Sequence, residues 1–307
     1  MSPASVLTPE APVTALGARG LRLGYDDRVV VHDLDVDVPD GALTVIVGPN
    51  ACGKSTLLKA LARTLKPTAG TVYLDGRPIT SYRPKAVARR VAMLPQTPIA
   101  PDGITVRDLV SRGRFPHQDL LHPSSGTDRQ VVQAALAQTD IVGLADRGVD
   151  ELSGGQRQRV WIALTLAQRA RTMLLDEPTS YLDLAHQVDL LDMLRGLEHP
   201  DGPGAGRATV VAVLHELNLA ARVADRLVAM AAGRIVAVGT PAEVLTPELL
   251  AAVFGLRADV ARDPVGGRPV VLPRGRAREG SHPVPPAAPV ALEPAPRAAA
   301  EIGRTLP

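Results

Sequence analysis

Apolar and polar residues in the central part of the chain repeat with the periods of strands and helices. The stretch VVVHDLDVDVPDG (29–41) alternates, so that one face of a strand would carry Leu34, Val36 and Val38 and the other Asp33, Asp35 and Asp37. Three apolar runs then come in turn, each leading into a helical pattern: ALTVIVG (42–48), MLLDEP (173–178) and TVVAVLHE (209–216). After the first run, KSTLLKALARTL (54–65) is typical of a helix. The pattern predicts an α/β fold with a partly parallel sheet, preceded by an antiparallel strand group.

The middle and the two ends of the chain differ from this alternation. Residues 104–169 contain mainly helical patterns, which predicts an inserted helical subdomain over about 97–169. Residues 1–14 are rich in Pro, Ala and Thr, and residues 274–307 are rich in Pro and Ala without an aromatic side chain. Such segments bury too little surface to order themselves, so we expect disordered tails on either side of one folded unit, residues 15–273.

The composition of the chain limits the cell compartments and the classes of partner that we expect. The 34 Lys and Arg residues nearly balance the 32 Asp and Glu residues, leaving a net charge of +2, so we expect no nucleic-acid partner. The single cysteine, Cys52, excludes an internal disulfide and suits a reducing compartment. No apolar run approaches the roughly 18 residues of a membrane helix, and the first residues do not resemble a signal peptide. We therefore expect a cytoplasmic protein, unless a partner holds it at a membrane.

The segment GPNACGKS (48–55) predicts a phosphate-binding loop, because it comes after an apolar strand and leads into a helix. Gly48 and Gly53 would let the backbone turn tightly so that N–H groups face a β-phosphate. Lys54 would place its charge on the β- and γ-phosphates, and Ser55 would offer a hydroxyl to Mg²⁺. The rest of the predicted nucleotide-binding loop comprises Pro49, Asn50, Ala51, Cys52 and Thr56. We interpret Cys52 as a small space-filling residue.

Two acids end the apolar run TMLLDEP (172–178). Carboxylates at the carboxyl end of such a strand project into the crevice where α/β proteins bind ligands. Asp176 would hold Mg²⁺, and Glu177 would orient and deprotonate the attacking water. Taken alone, these acids are equally typical of a polar turn that ends a strand; together with the phosphate-binding loop they favour a catalytic site.

The segment LSGGQRQR (152–159) resembles the signature motif of ATP-binding-cassette (ABC) ATPases, and with the preceding motifs the likeness covers about residues 15–257. The resemblance implies a P-loop NTPase (RecA-like) core with an antiparallel β subdomain and an inserted helical subdomain. Ser153, Gly154 and Gly155 open a helix, where a hydroxyl, bare N–H groups and a helix dipole form a second anion site, with Gln156 beside them. In the family this site completes the ATP pocket of the opposite subunit, which implies a head-to-tail dimer, homomeric or heteromeric, around two ATP molecules.

Four further positions match the family singly. Tyr25 corresponds to the aromatic residue that stacks on adenine, although an isolated tyrosine is equally typical of a core. Gln96 corresponds to the Q-loop glutamine that senses Mg²⁺, His215 to the switch histidine that contacts the γ-phosphate, and Asp183 to the D-loop aspartate at the dimer interface. The resemblance thus implies Glu177, His215, Gln96 and Lys54 as catalytic residues and Ser55, Gln96 and Asp176 as Mg²⁺ ligands.

Two residues depart from the usual family pattern. Ala51 stands where many cassettes have glycine, so either the loop needs no positive φ there or it tolerates some strain. Tyr181 stands where alanine is commoner. Neither change removes a catalytic group.

Within the family, the chain is most similar to ATPases of ferric-siderophore importers, a group that also serves haem and cobalamin. The segments that carry this likeness are residues 93–117, 213–230 and 255–273. It implies integral-membrane permease subunits as direct partners, a substrate-binding protein as an indirect one, and a peripheral location on the cytoplasmic face of the membrane. The candidate permease-docking residues are Arg112, Gly113, Arg114 and Phe115, which are equally typical of a solvated basic turn. Another solute, export, or a non-transport ABC ATPase remain alternatives.

Overall fold

The computed structural model describes residues 14–26, 28–118, 125–202 and 204–277. The strands in chain order are β1 (Thr14–Tyr25), β2 (Arg28–Pro39), β3 (Leu43–Val47), β4 (Ala69–Leu74), β5 (Arg77–Pro78), β6 (Val91–Leu94), β7 (Thr172–Asp176), β8 (Thr209–Val213), β9 (Arg226–Ala231), β10 (Arg234–Gly239), β11 (Leu256–Arg262) and β12 (Pro269–Arg276). The helices are α1 (Lys54–Leu61), α2 (Pro84–Ala88), α3 (Val106–Ser111), α4 (Gly126–Gln138), α5 (Gly154–Ala167), α6 (Leu184–Arg195), α7 (Leu217–Val223), α8 (Pro241–Val244) and α9 (Pro247–Phe254).

A six-stranded sheet in the order β10-β9-β3-β8-β7-β6 forms the centre of the fold. Its strands pair in parallel except for β10, which runs antiparallel at one edge. All residues of β3, β7 and β8 are buried, as expected for strands covered on both faces. Because β6, β7 and β8 are neighbours and parallel, the residues directly after them emerge at the same edge of the sheet. The fold class inferred from the sequence is confirmed.

A second sheet, in the order β2-β1-β4-β5, is antiparallel. The predicted alternation along β2 is confirmed, since Leu34, Val36 and Val38 are buried. These side chains pack in one apolar cluster with α1 and with residues of the six-stranded sheet. The antiparallel sheet thereby holds one side of α1, which begins at the phosphate-binding loop.

Helices α3, α4 and α5 occupy the stretch between β6 and β7, and its described residues form no strand. Their buried residues belong to the same apolar cluster as one face of the six-stranded sheet. Both α4 and α5 begin with a capping box, at Ser125 and Ser153 respectively. The helical stretch is thus packed onto the sheet and not hinged away from it. No helix within the described ranges combines the length and the apolar content needed to cross a bilayer.

The carboxyl-terminal hairpin β11–β12 extends the folded chain further than the sequence predicts. Arg276 pairs with Leu256, and Ala277 N donates to the Gly255 carbonyl at 2.8 Å, so the expected start of the tail at residue 274 is a few residues early. The reason is pairing: a chain segment without apolar side chains is ordered here by backbone bonds to β11. Likewise β1 begins at Thr14, the last residue of the predicted amino-terminal tail. Residues 1–13 and 278–307 lie outside the described residues.

Candidate nucleotide and hydrolysis site

The loop between β3 and α1 is held in its turn by residues without bulky side chains. A Cβ at Gly48 would lie 2.2 Å from the Met230 carbonyl oxygen, and Gly53 has a φ of +105°, which disfavours any other residue. Ala51 also has a positive φ, +59°, so the second of the two interpretations of this position is correct: the loop tolerates strain there. Cys52 is 5 % exposed and burial raises the pKa of its thiol, which disfavours the reactive thiolate.

Lys54 is the first residue of α1 and is only 5 % exposed. Its Nζ donates to the carbonyl oxygens of Gly48 at 2.9 Å and Pro49 at 2.8 Å. These two bonds fix the ammonium over the loop, at the positive end of the helix dipole. The loop residues Asn50 to Thr56 line a cleft of about 1240 Å³, which also contains Tyr25, Gln96, Glu177 and His215.

Ser55 lines this cleft, and Asp176, which is 1 % exposed, lies buried directly behind it. Ser55 Oγ donates to Asp176 Oδ1 at 3.0 Å, whereas Asp176 Oδ2 is buried without a hydrogen-bond partner. The pKa of Asp176 is raised, first by burial and further by the charge of Glu177, against the lowering effects of Ser55 and of two lysines. A buried carboxylate with an unpaired oxygen beside a serine hydroxyl fits the hard oxygen ligands that Mg²⁺ takes.

Glu177 comes directly after β7 and has a φ of +54°, which turns its side chain out of the strand direction. Gln96 Nε2 donates to its Oε1 at 2.8 Å, and His215 Nε2 lies 2.7 Å from the same oxygen. Gln96 lies after β6 and His215 after β8, so three neighbouring parallel strands deliver these side chains to one point. The sequence expectation that they belong together is consistent with this geometry.

Gln158, which the sequence patterns do not mark as functional, supports this junction. Its Nε2 donates to the Pro178 carbonyl at 2.9 Å and is 3.5 Å from that of Glu177, and the side chain is 8 % exposed. It thus ties α5 to the backbone that carries Glu177. The available signal was a polar residue one helical turn before the apolar Ile162, in a helix whose buried positions are mostly apolar.

Tyr25 lies at the mouth of the cleft and is 44 % exposed. The Nζ of Lys59 lies 5.8 Å from the centre of its ring and 3.5 Å from its hydroxyl. The exposed ring is not core filler, which removes the purely structural alternative for this residue. Its open face gives a planar ligand a surface on which to stack.

Ser153, Gly154, Gly155 and Gln156 lie in a different cleft of about 450 Å³. The two clefts have no described lining residue in common. The Ser153 hydroxyl accepts from Gln156 N at 3.3 Å, and Gln156 Oε1 accepts from Ser153 N at 3.1 Å, so this pair caps α5. A Cβ at Gly155 would lie 3.0 Å from the Tyr181 carbonyl oxygen. The glycines therefore also make room for the loop that carries Tyr181.

Asp183 borders the same second cleft and caps α6. Its Oδ1 accepts from His186 N at 3.0 Å and lies 2.8 Å from His186 Nδ1. These two bonds, the backbone one first, lower the pKa of Asp183. Tyr181 beside it is 80 % exposed, so the loop presents an aromatic side chain outward.

The four candidate docking residues separate into two groups. Arg112 and Phe115 are exposed, whereas Gly113 and Arg114 are buried. Arg114 pairs with Asp128 at 2.8 Å, which a solvated turn would not require. The expectation that all four form an outer surface is wrong for the two buried residues.

The chain is similar to a described protein family and to known transport proteins. Residues 31–180 match the family model described as ABC transporter. The ferric enterobactin transport ATP-binding protein FepC of Escherichia coli (strain K12) is 49 % identical over 264 residues, covering 86 % of this chain and 96 % of that protein. The achromobactin transport ATP-binding protein CbrD of Dickeya dadantii (strain 3937) is 49 % identical over 266 residues, covering 87 % and 97 %.

A solved structure agrees with these sequence matches. It is an ABC transporter, assigned to the metal-chelate type, in an inward-facing conformation, with a TM-score of 0.69 and 30 % identity, covering 85 % of this chain and 97 % of that one. Near-complete coverage of the relatives leaves no further domain of theirs unmatched. The chain is therefore a member of the ABC transporter family of ATP-binding proteins, an ATP-hydrolysing transporter subunit with the P-loop fold that its motifs predict.

Proposed function

We propose that this ATPase energises the import of a ferric siderophore, or a closely related iron complex, through separate permease subunits in the membrane. It would bind them from the cytoplasmic face as a peripheral subunit. The observation that carries the hydrolytic part is the meeting of Gln96, Glu177 and His215 beside the Asp176–Ser55 pair. The choice of solute is supported by relatives named for ferric enterobactin and achromobactin transport.

The cleft offers a suitable contact for each part of a nucleoside triphosphate. Lys54 would turn from the loop carbonyls to the β- and γ-phosphates, and N–H groups of the loop would bind the β-phosphate. Ser55 and Asp176 would hold Mg²⁺, which when bound neutralises phosphate oxygens. Tyr25 would stack on the adenine ring.

Glu177 is the group that can take a proton from water in this site. Its Oε1 is held by Gln96 Nε2 and His215 Nε2, which leaves the second carboxylate oxygen near Ser180 Oγ at 3.4 Å as the freer acceptor. Gln96 and His215 would report the phosphate state by making or breaking these contacts. General-base catalysis of this kind contributes about 10²–10⁴ in rate.

The two separate clefts support a dimer as the working unit. Ser153, Gly154 and Gly155 lie outside the phosphate-binding cleft of their own chain, and Asp183 lies with them. In a head-to-tail dimer each chain would bring this second cleft to the γ-phosphate bound by its partner. Each of the two sites would then be complete only when both subunits contribute.

A deletion strain tests the import proposal. Uptake of radiolabelled ferric siderophores under iron limitation should be lost in this strain and restored by the wild-type gene. It should not be restored by Lys54→Ala, which removes the positive charge of the predicted phosphate-binding loop, residues 48–55, here called the cradle. Uptake of labelled cobalamin should stay normal in the deletion strain and is the internal control. It is the relevant solute because a cobalamin import ATP-binding protein from Halobacterium salinarum is also 41 % identical to this chain. Normal siderophore uptake in the deletion strain would refute the iron assignment. An ATPase activity of purified Lys54→Ala equal to that of the wild type would refute the assignment of the cradle.

A further inference from the structure

The segment Arg112–His117 is fastened to the carboxyl end of α5. Arg114 Nη1 donates to the Ala167 carbonyl at 2.8 Å, and His117 Nε2 lies 2.8 Å from the Gln168 carbonyl. Gly113 lies so close to the same helix end that a Cβ there would stand 2.4 Å from the Leu164 carbonyl oxygen. The carbonyl of Ala167, the last residue of α5, and that of Gln168 after it thus have their partners in this segment.

The anchor is a buried ion pair. Arg114 Nε donates to Asp128 Oδ1 at 2.8 Å, and the two side chains are only 8 % and 12 % exposed. Asp128 is itself fixed, because its Oδ2 accepts from Ser125 N at 3.0 Å in the capping box of α4. Both side chains of this buried pair make further hydrogen bonds, which hold the pair in one geometry. Removal of one partner would leave the other as an uncompensated buried charge.

The segment is also bonded to the end of α2, since Arg89 Nε donates to the Pro116 carbonyl at 2.7 Å, but its outer side is open. Phe115 is 60 % exposed, and Arg112, the first residue of the segment, is exposed as well. The segment is therefore bonded to the ends of α5 and α2 on its inner side and presents an aromatic ring on its outer side.

The amino-terminal end of α5 borders the second cleft, which Ser153, Gly154 and Gly155 line. Helix α5 runs for 14 residues from the cap at Ser153, which at 1.5 Å per residue is about 20 Å. A regular helix of this length moves as one body. A displacement at Ser153 is therefore delivered to the Ala167 end, where Arg114 is bound.

We propose that Arg114 and Asp128 are positioning residues that make the exposed Phe115 surface follow α5, so that closure of the second cleft on a partner's ATP shifts this surface. The inference rests on the proposed two-cleft dimer. Coupling is reciprocal, so a permease that binds at Phe115 would act on the cleft at Ser153 with the same coupling free energy.

The test uses amide hydrogen exchange in the full-length chain carrying Glu177→Gln, which should retain ATP. In this parent, exchange in residues 112–118 should slow with MgATP relative to MgADP. Adding Arg114→Met with Asp128→Asn replaces the buried pair by neutral groups of similar size. The dimer and the protection around Ser153 should remain, while the ATP-dependent protection of residues 112–118 falls by roughly 2- to 30-fold, the range produced by substitutions within a coupled network.

Gly113→Ala is the second variant, because its Cβ displaces the segment from the Leu164 carbonyl without touching the ion pair; it should lose the same protection. Arg129→Met, at an exposed arginine of α4 directly after Asp128, is the matched control and should behave like the parent. The proposal is overturned if both anchor variants dimerise and keep the full ATP-dependent protection, or if the parent dimerises without any change in residues 112–118. A parent that stays monomeric in light scattering refutes the proposed dimer first, and this inference with it.

Discussion

Replacing Glu177 with glutamine keeps the size of the side chain and removes its ability to accept a proton. In the wild type, Gln96 Nε2 and His215 Nε2 converge on one carboxylate oxygen at 2.8 and 2.7 Å, and the side chain is 17 % exposed. The amide oxygen introduced by Glu177→Gln can still accept one such bond. The hydrogen bonds of Lys54 and of the Ser55–Asp176 pair do not involve Glu177 and should remain. The pKa of Asp176 should fall, because the negative charge of Glu177 contributes to raising it, and a more readily ionised Asp176 does not weaken the binding of a cation.

The expected decrease in the rate of ATP hydrolysis follows from the contribution that a positioned general base makes to that rate. Hydrolysis should fall by about 10²–10⁴, which at 1.36 kcal/mol per factor of ten corresponds to about 2.7–5.4 kcal/mol of transition-state stabilisation. ATP affinity should remain. Because Ser153, Gly154 and Gly155 would hold the same ATP from the partner, the uncleaved nucleotide should stabilise the dimer.

Two measurements check this prediction. Single-turnover hydrolysis gives the chemical rate, and size-exclusion chromatography with light scattering gives the mass with MgATP and with MgADP. Glu248→Gln, the same substitution at an exposed position of α9, is the control and should leave both unchanged. Adding Ser153→Arg to Glu177→Gln should abolish the ATP-bound dimer while the cradle of the same chain still binds ATP. A Glu177→Gln protein that binds ATP yet stays monomeric with its membrane partners present would refute the two-cleft mechanism.

The remaining predictions concern binding and stability. Tyr25→Ala should weaken ATP binding by about 1–3 kcal/mol in titration calorimetry, whereas Tyr25→Phe keeps the stacking ring; equal losses would instead point to the hydroxyl near Lys59. Ala51→Gly should raise the free energy of unfolding in urea by about 1 kcal/mol, because a left-handed backbone costs alanine about 1–2 kcal/mol and glycine's unfolded-state entropy removes part of the gain; a loss would show that the methyl group packs. Burial alone would raise the pKa of Asp40, but bonds from Arg171 and Thr209 (2.8 Å for Thr209 Oγ1) outweigh it and hold the pKa below its ordinary value. The stabilising contribution of Asp40 is thus present above the unfolded pKa and is lost as the pH falls through the lower, folded one, so Asp40→Asn should flatten the acid limb of stability below about pH 4 while the exposed control Asp102→Asn should not.

The sequence was sufficient for the parallel strands and for the residues directly after them. Each apolar run ends at a recognisable residue, and strands that are parallel neighbours bring their ends together. The role proposed for Glu177 was therefore predictable from the strand that precedes it, and those of His215 and Gln96 from the family resemblance. Their meeting at one carboxylate oxygen was not, since it depends on the order β8-β7-β6, which local patterns do not contain.

Local patterns failed where a distant partner decides the environment. Arg114 stands in the stretch RGRFPH, which by composition is a basic, solvated turn, yet Asp128 fourteen positions later buries it. The end of α1 is a smaller case of the same kind. The helical pattern runs to residue 65, but α1 ends at Leu61, because Arg63 adopts a φ of +61° and donates to the Tyr82 carbonyl at 2.8 Å. No property of arginine predicts a left-handed backbone.

The two clefts contain non-glycine residues whose backbone is strained in the same way. Ala51, Glu177 and Tyr181 are not glycine, yet their φ values are +59°, +54° and +65°. Each such residue costs about 1–2 kcal/mol, so the surrounding structure must hold it in place. Around Glu177 it does so by pairing Asp176 with Val213 across the sheet and by the bond from Gln158 to the Pro178 carbonyl. A relaxed backbone at residue 177 would continue the strand and point the carboxylate away from Gln96 and His215. The strain is therefore the structural condition for a carboxylate that meets both of them, and the buried amide of Gln158 makes one of the contacts that maintain it.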